Sequence, residues 1–85
     1  MTKHELKTWP EYFSATINGQ KKFELRKNDR NFAVDDILIL KEYNPNTKIY
    51  TGRSIVSKVN YILSDTSMGL KEGYVILGIV MVVER

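Results

Sequence analysis

Patterns typical of strands fill most of this sequence, and only one helix is predicted, close to its beginning. The helix starts at Thr8, which can act as its cap, with Glu11 at the capping-box position and Pro10 in the first turn. It ends near Ile17, because Gly19 can adopt the left-handed conformation that closes a helix. The predicted strands are His4–Lys7, Phe23–Lys27, Val34–Tyr43, Lys48–Thr51, Arg53–Leu63 and Tyr74–Val83. This order predicts a small β-barrel, mixed or antiparallel, with one or two short helices, one of which covers an opening.

The last strands carry the clearest apolar patterns. Tyr74–Val83 is apolar on both faces, so we expect it to lie centrally in the sheet. A polar loop, Ser64–Gly73, precedes it and contains a predicted helical turn at Met68–Leu70. Along Arg53–Leu63, alternation places four apolar side chains on one face: Ile55, Val59, Tyr61 and Leu63.

The bulk properties limit the classes of protein. With 85 residues, the chain suits a single domain, which we expect to span 1–85. It has no cysteine and one histidine, so we expect no disulfide, no metal and no other cofactor. The charged first residues and the shortness of every apolar run predict a cytoplasmic protein without a membrane span.

The positive charge is concentrated in the first third of the chain. The net charge is +3, and residues 1–30 hold seven Lys or Arg against four acidic residues, a difference of three that accounts for all of it. A local basic region favours an anionic partner such as nucleic acid. A solvated basic face would give the same composition.

The most informative segment is 19–26, Gly-Gln-Lys-Lys-Phe-Glu-Leu-Arg, which reads as a turn followed by a short strand. Because side chains alternate along a strand, Glu24 and Arg26 share one face with Lys22, while the other face is apolar. We expect that apolar pair, Phe23 and Leu25, to enter the core. The ionic face is then either an ordinary solvated surface or the floor of a polar pocket.

The sequence resembles the ASCH domain, a family within the PUA-like β-barrel superfamily. The main element is Gly19-x-Lys21-x-x-Glu24-x-Arg26, after a short helix and before Val34-x-Asp36-Ile37-Leu38. The other matching segments are His4-x-Leu6-Lys7, Trp9-Pro10, Tyr50-Thr51-Gly52-Arg53 and Tyr74-Val75-Ile76-Leu77-Gly78. The likeness covers nearly the whole chain and points to a small bacterial and phage branch of the family with no assigned function.

This resemblance implies a barrel in which the motif lines a cleft beside the helix. ASCH domains are proposed to bind RNA or nucleotides there, sometimes as parts of coactivators or RNA-processing proteins. A few small members are reported as ribonucleases, or as amidohydrolases acting on acetylated cytidine. The amidohydrolase type uses the motif lysine, matched by Lys21, a threonine where this chain has Glu24, and a distant glutamate, for which Glu72 is the nearby candidate. Asp35 stands where related sequences often have glycine, and aspartate can adopt that turn conformation at some cost.

With the resemblance included, we expect a module that binds RNA or a nucleotide, rather than an enzyme. Arg26 and Lys21 would neutralise phosphate, and Glu24 would orient Arg26 or contact a base. Trp9 would stack on a base. The predicted rim and peripheral phosphate contacts are His4, Lys7, Lys22 and Lys27. At each position a plain alternative exists: a surface Arg–Glu pair, solvated lysines, a core tryptophan or a structural histidine.

Two other functions stay open. A small hydrolase acting on a modified nucleoside would use Lys21 and Glu24 for proton transfer. A protein-interaction module would instead contact its partner through the helix or through Tyr74–Val83.

Overall fold

One mixed sheet makes up most of the molecule. The computed structural model describes residues 1–82. Its elements are β1 (Lys3–Thr8), α1 (Pro10–Ile17), β2 (Phe23–Lys27), β3 (Ile37–Asn44), β4 (Ile49–Leu63), a 3-10 turn (Thr66–Met68) and β5 (Tyr74–Met81). The strand order is β1-β3-β4-β5-β2, with β1 and β3 parallel and all other neighbours antiparallel. The sheet curls into a half-barrel with one short helix, which confirms the predicted barrel-like fold.

The core fills the concave side of the half-barrel. Alternate residues of the strands point inward, as the period of two requires. The helix adds Phe13, which is completely buried. The other buried apolar residues are Leu6, Phe32, Leu38, Leu40, Ile55, Val59, Val75, Leu77 and Ile79. Since β1 and β2 are the edges of the sheet, the half-barrel is open between them.

The helix ends as predicted but begins differently. The amide of Gly19, whose φ is 77°, donates to the Thr16 carbonyl at 3.1 Å, and the amide of Gln20 donates to the Ala15 carbonyl at 3.0 Å. These two bonds form the Schellman motif expected from the glycine. At the start, however, Trp9 holds the cap position without a side-chain cap bond. The prediction of Thr8 as cap is wrong, because the Thr8 side chain is turned into the interior.

The strand Ile49–Leu63 is one continuous element where two were predicted, and Gly52 lies within it. Its register with β5 shifts between Val59 and Tyr61. Such a bulge interrupts the alternation of side chains, so Tyr61 is exposed although Val59 is buried. The prediction that Tyr61 and Leu63 share a face with Ile55 and Val59 is therefore wrong.

The strand Tyr74–Met81 pairs with neighbours on both of its edges. This interior position agrees with its two apolar faces, although β4 is the middle strand of the order. The predicted end of this strand at Val83 lies outside the described residues. Within residues 1–82, none of the helices has the length and apolar character needed to cross a membrane.

Candidate functional site

A cleft of about 550 Å³ lies at the open side of the half-barrel. It forms where the end of β1, the start of α1 and the strand β2 meet. The lining residues are Lys7, Thr8, Trp9, Tyr12, Lys21, Phe23, Glu24, Leu25 and Arg26. The motif singled out in the sequence therefore lines this cleft.

The floor of the cleft is a buried carboxylate held by two cations. Glu24 is only 3% exposed. Its Oε1 accepts from Nζ of Lys21 at 2.8 Å, and its Oε2 accepts from Nε of Arg26 at 3.1 Å. A buried charge is tolerated when it is paired and hydrogen-bonded, and both carboxylate oxygens meet that condition here. We call these three residues the ion triad.

Short-range sequence spacing assembles the ion triad. Glu24 and Arg26 are two apart on β2, so their side chains share a face. The chain turns at Gly19 before the strand, and Lys21 then reaches forward, with Nζ also donating to the Phe23 carbonyl at 2.6 Å. The three groups are consequently positioned by eight consecutive residues, 19–26, rather than by distant parts of the fold.

The apolar face of β2 points away from the core. Phe23 is 45% exposed and Leu25 is 54% exposed, whereas Glu24 between them is buried. The prediction that Phe23 and Leu25 enter the core is therefore wrong. The physical reason is the pairing of Glu24 with two cations, which lets the ionic face turn inward. The apolar pair is left at the rim of the cleft.

Two arginines bridge the open side of the half-barrel. Nη2 of Arg26 donates to the Lys7 carbonyl at 2.7 Å, and Nη1 of Arg30 donates to the Glu5 carbonyl at 2.8 Å. Both acceptors belong to β1, whose one strand neighbour among residues 1–82 is β3. The guanidinium groups thus satisfy main-chain oxygens on its free edge. Arg26 takes part in the ion triad and in this bridge at once.

An aromatic pair also lines the cleft. The rings of Trp9 and Tyr12 are nearly parallel, with centroids 6.0 Å apart and planes inclined by 22°. Both side chains are close to half exposed, at 47% and 46%. They lie three residues apart at the start of the helix, which places them on neighbouring positions of one face. With Phe23 and Leu25 they form a group of exposed apolar side chains, which is typical of a binding surface.

The structure brings together most, but not all, of the predicted site residues. Those that line the cleft are Lys7, Trp9, Lys21, Glu24 and Arg26. His4 does not, because its side chain is buried and Nε2 lies 2.8 Å from Oδ2 of Asp36. Lys22 lines a smaller cavity of about 230 Å³ beside the end of the helix. Lys27 is exposed at the end of β2.

Four lining residues were not predicted as part of the site. Tyr12 had a usable signal, since it lies three residues after Trp9 on the predicted helix. Phe23 and Leu25 were assigned to the core, and Thr8 was assigned to a cap. Thr8 is buried, and its Oγ1 has no hydrogen-bond partner within residues 1–82.

A second ionic group lies beside the helix. Glu42, buried on β3 at the register position of Thr8, accepts from Nε and Nη2 of Arg53 at 2.9 and 3.0 Å. Thr51 donates its hydroxyl to the same carboxylate. The Arg53 guanidinium, followed by the Thr51 hydroxyl, holds the pKa of Glu42 below its ordinary value. Arg53 also lies over the Phe13 ring, 5.0 Å from its centroid, so this group anchors the helix.

The cleft itself carries a positive charge. Three cationic side chains line it, Lys7, Lys21 and Arg26, against one carboxylate, Glu24. The difference of three minus one gives +2, which favours an anionic ligand. The side chains of Lys21 and Arg26 are partly exposed, so each can approach a ligand while it contacts Glu24.

Comparison with known proteins assigns the chain to a family. Residues 3–79 match the family described as "Domain of unknown function (DUF3850)". The chain belongs to the DUF3850 family. The matched range includes every residue that lines the cleft, so the ion triad and the aromatic pair lie within the DUF3850 domain.

A relative of this DUF3850 chain occurs in a bacteriophage. It is described as "Uncharacterized 12.9 kDa protein in GpA 3'region" of Escherichia phage P2. The two sequences are 38% identical over 74 residues, which is 87% of this chain and 64% of the phage protein. The chain therefore spans slightly less than two thirds of the length of that relative.

Proposed function

We propose that this protein binds a nucleotide unit, either free or within single-stranded RNA, in the cleft. The observation that carries the proposal is that the half-exposed pair Trp9–Tyr12 and the cationic groups of Lys21 and Arg26 line the same cleft. Bases stack on exposed aromatic rings, and cations neutralise phosphate. One cleft therefore offers both kinds of contact.

The ion triad defines how the cations would act. Glu24 fixes Lys21 and Arg26 in place before a ligand arrives, which lowers the entropy lost on binding. Because one carboxylate faces two cations, a positive charge is left for the ligand phosphate. Glu24 is itself an acceptor, so a base amino group could donate to it.

The resemblance to ASCH domains supports the same proposal. The Gly-x-Lys-x-x-Glu-x-Arg motif is the part of the sequence that carries that resemblance, and its charged residues line the cleft. We propose that DUF3850 is an ASCH-like family within the PUA-like superfamily, and that this member acts in the cytoplasm.

The chain contains one tryptophan, Trp9, which makes its fluorescence a direct report on the cleft. The protein would be titrated with short single-stranded RNA and with a panel of nucleotides and nucleosides that includes acetylcytidine. Ligands that bind in the cleft should quench the Trp9 fluorescence. Chemical-shift mapping should locate the changes at Trp9 and residues 21–26. We expect the affinity for RNA to fall with rising salt, as phosphate contacts require.

Arg26→Ala tests the assigned site, and Arg30→Ala is its matched control. Both arginines donate to a β1 carbonyl, but only Arg26 lines the cleft. Arg26→Ala should weaken RNA binding about tenfold, since charge-assisted hydrogen bonds contribute about 1.5–3 kcal/mol. Arg30→Ala should bind like wild type. Equal binding by Arg26→Ala, or no quenching at millimolar ligand, would refute the proposal and direct attention to a protein partner.

Hydrolysis of a modified nucleoside is a second candidate. It is favoured by the 2.8 Å contact between Nζ of Lys21 and Oε1 of Glu24, a pair that could move a proton in the cleft. Release of acetate from acetylcytidine, abolished in Lys21→Ala, would establish it. No turnover at high enzyme concentration would exclude it for this substrate.

A further inference from the structure

We propose that the bound RNA strand continues from the cleft over the outer face of β1, β3 and β4, along Tyr43 and Tyr50. This inference rests on the proposed function and narrows it, because it selects single-stranded RNA of several nucleotides over a free nucleotide. We call this surface the tyrosine track and define it by Lys7, Lys41, Tyr43 and Tyr50.

The tyrosine track begins at the cleft. Lys7 lines the cleft, and its Nζ lies 4.6 Å from the centroid of the Tyr43 ring. The Tyr43 ring in turn meets Tyr50 edge-to-face, with centroids 5.0 Å apart. Nζ of Lys41 lies 5.3 Å from the centroid of the Tyr50 ring. The contacts therefore run without interruption from the Lys7 cation at the cleft through two adjacent rings, with a second cation, Lys41, over Tyr50.

Sheet register explains this arrangement. Lys7 and Lys41 are register partners across β1 and β3, and Tyr43 and Tyr50 are partners across β3 and β4. Two strand spacings, about 10 Å, separate β1 from β4. A path of that length exceeds one nucleotide and requires a ligand that extends beyond the cleft.

Charge and exposure favour an anionic, base-bearing partner. Tyr50 is 47% exposed, so its ring offers area to a base. Lys41 is paired with Glu5 at 2.8 Å, and together with Lys7 the track carries two cations against this one acid. Exposed rings among cationic side chains are the arrangement by which proteins bind single strands without reading sequence. The other function of such a group is cross-strand support for the β3–β4 hairpin.

The dependence of affinity on RNA length distinguishes RNA binding by the tyrosine track from a purely structural role in the β3–β4 hairpin. Trp9 fluorescence would be titrated with each of the four 5′-mononucleotides and with an RNA octamer of mixed sequence. Wild type should bind the octamer at least about tenfold more tightly than any mononucleotide. Tyr50→Ala should weaken octamer binding at least about fivefold, which corresponds to the loss of one base–aromatic stack of about 1 kcal/mol. Mononucleotide binding should not change.

Two further variants keep the test decisive. Tyr50→Phe retains the ring and should bind the octamer like wild type, whereas loss of octamer binding in Tyr50→Phe would mean that the hydroxyl, and not stacking on the ring, makes the contact, which would refute the inference. Tyr61→Ala removes another exposed tyrosine of β4 beyond the bulge, and should leave both affinities unchanged. Melting temperatures of all three variants would show whether the hairpin stays folded.

The outcomes distinguish this inference from the proposed function. If mononucleotides bind but the octamer binds no more tightly, or if Tyr50→Ala retains full octamer affinity, the tyrosine track is refuted and the cleft stands. If neither ligand quenches Trp9, the proposed function fails and the track fails with it.

Discussion

Nζ of Lys21 donates to Oε1 of Glu24 at 2.8 Å. Lys21 lies three residues before Glu24 and just outside β2, the strand that carries the carboxylate. The same carboxylate accepts from Arg26 on its other oxygen. This arrangement explains how β2 can turn a charged residue toward the interior and apolar residues toward solvent. The ion triad is thus part of the folded structure before any ligand binds, and its loss should be measurable as stability.

Neutralising the buried carboxylate should destabilise the protein. Glu24→Gln keeps the size of the side chain but leaves Lys21 and Arg26 facing each other without an anion between them. We expect a loss of about 2 kcal/mol in the free energy of unfolding, because hydrogen bonds to buried charged groups contribute on this scale. Urea denaturation at neutral pH would measure it.

Glu5→Gln is the control for this change. Glu5 also pairs with a lysine, Lys41, at 2.8 Å, but on the surface, where such pairs contribute little. The unfolding midpoint of Glu5→Gln should match that of wild type. Equal midpoints for Glu24→Gln and wild type would mean that the ion triad contributes nothing to the fold.

The sequence predicts the order of the elements well because the local signals are strong. Pro10 and Gly19 delimit the helix, and the apolar character of Tyr74–Met81 predicts an interior strand. Period-two alternation also groups Glu24 with Arg26. Alternation alone does not say which face of an edge strand is inside, and that choice depends on whether a buried charge finds partners. For this reason the positions of Phe23 and Leu25 at the cleft rim could not be predicted.

Two other errors have the same origin in non-local structure. The bulge at Val59 and Tyr61 reverses a face, and its position depends on pairing with β5. His4 was expected at the cleft rim, yet inward alternation and the Asp36 carboxylate hold it in the interior. In both cases the partner strand or loop, and not the residue itself, determines the outcome.

Acid should weaken the protein through Asp36 and Glu42. The hydrogen bond from His4, supported by the amides of Thr2 and Ala33, holds the pKa of Asp36 below its ordinary value of 3.8. Contacts from Arg53 and Thr51 similarly hold the pKa of Glu42 below 4.5. In the unfolded chain both carboxylates are protonated at their ordinary pKa values, whereas in the folded protein they are protonated only at lower pH. Stability is therefore complete at neutral pH and falls as the pH drops through 4.5 and 3.8 toward the lowered folded values.

Unfolding midpoints in urea between about pH 7 and pH 3 would check this dependence. Asp36→Asn removes one titrating group, so it should be less stable at neutral pH but lose less stability on acidification. Asp29→Asn, in an exposed loop, should follow the wild-type curve. A wild-type midpoint that stays constant or rises below pH 4.5 would contradict the assignment of these two carboxylates.

Removing the Thr8 hydroxyl should stabilise the protein. Oγ1 of Thr8 is buried and has no hydrogen-bond partner within residues 1–82, and an unsatisfied buried polar group costs about 1–3 kcal/mol. Thr8→Val keeps the β-branched shape that suits the strand. We expect a gain of about 1 kcal/mol, equivalent to a rise of about 4–8 °C in melting temperature for a domain of this size.

Thr51→Val makes the matched comparison, because the Thr51 hydroxyl donates to Glu42. It should lower the melting temperature by the loss of that bond. If Thr8→Val also melts below wild type, the Thr8 hydroxyl has a partner in solution, such as an ordered water.

Asp35 adopts a left-handed conformation, with φ at 78°, in the turn that leads into β3. A residue with a side chain is strained there, although aspartate less than most, and glycine is not. The exposed contact of its carboxylate with Lys58, at 3.5 Å, contributes little. Asp35→Gly relieves this strain, but it also gives the unfolded chain more conformational freedom, which opposes the gain. The net result should be an unchanged free energy of unfolding or an increase of up to about 1 kcal/mol.

Asp35→Ala is the informative counterpart, because alanine has the strain without the local hydrogen bonding of aspartate. It should lower the free energy of unfolding by about 1 kcal/mol. Asp29→Gly, at a loop position outside the left-handed region, should also lose stability. If Asp35→Gly loses as much stability relative to wild type as Asp35→Ala, then the carboxylate contacts, and not the backbone conformation, determine stability at this position.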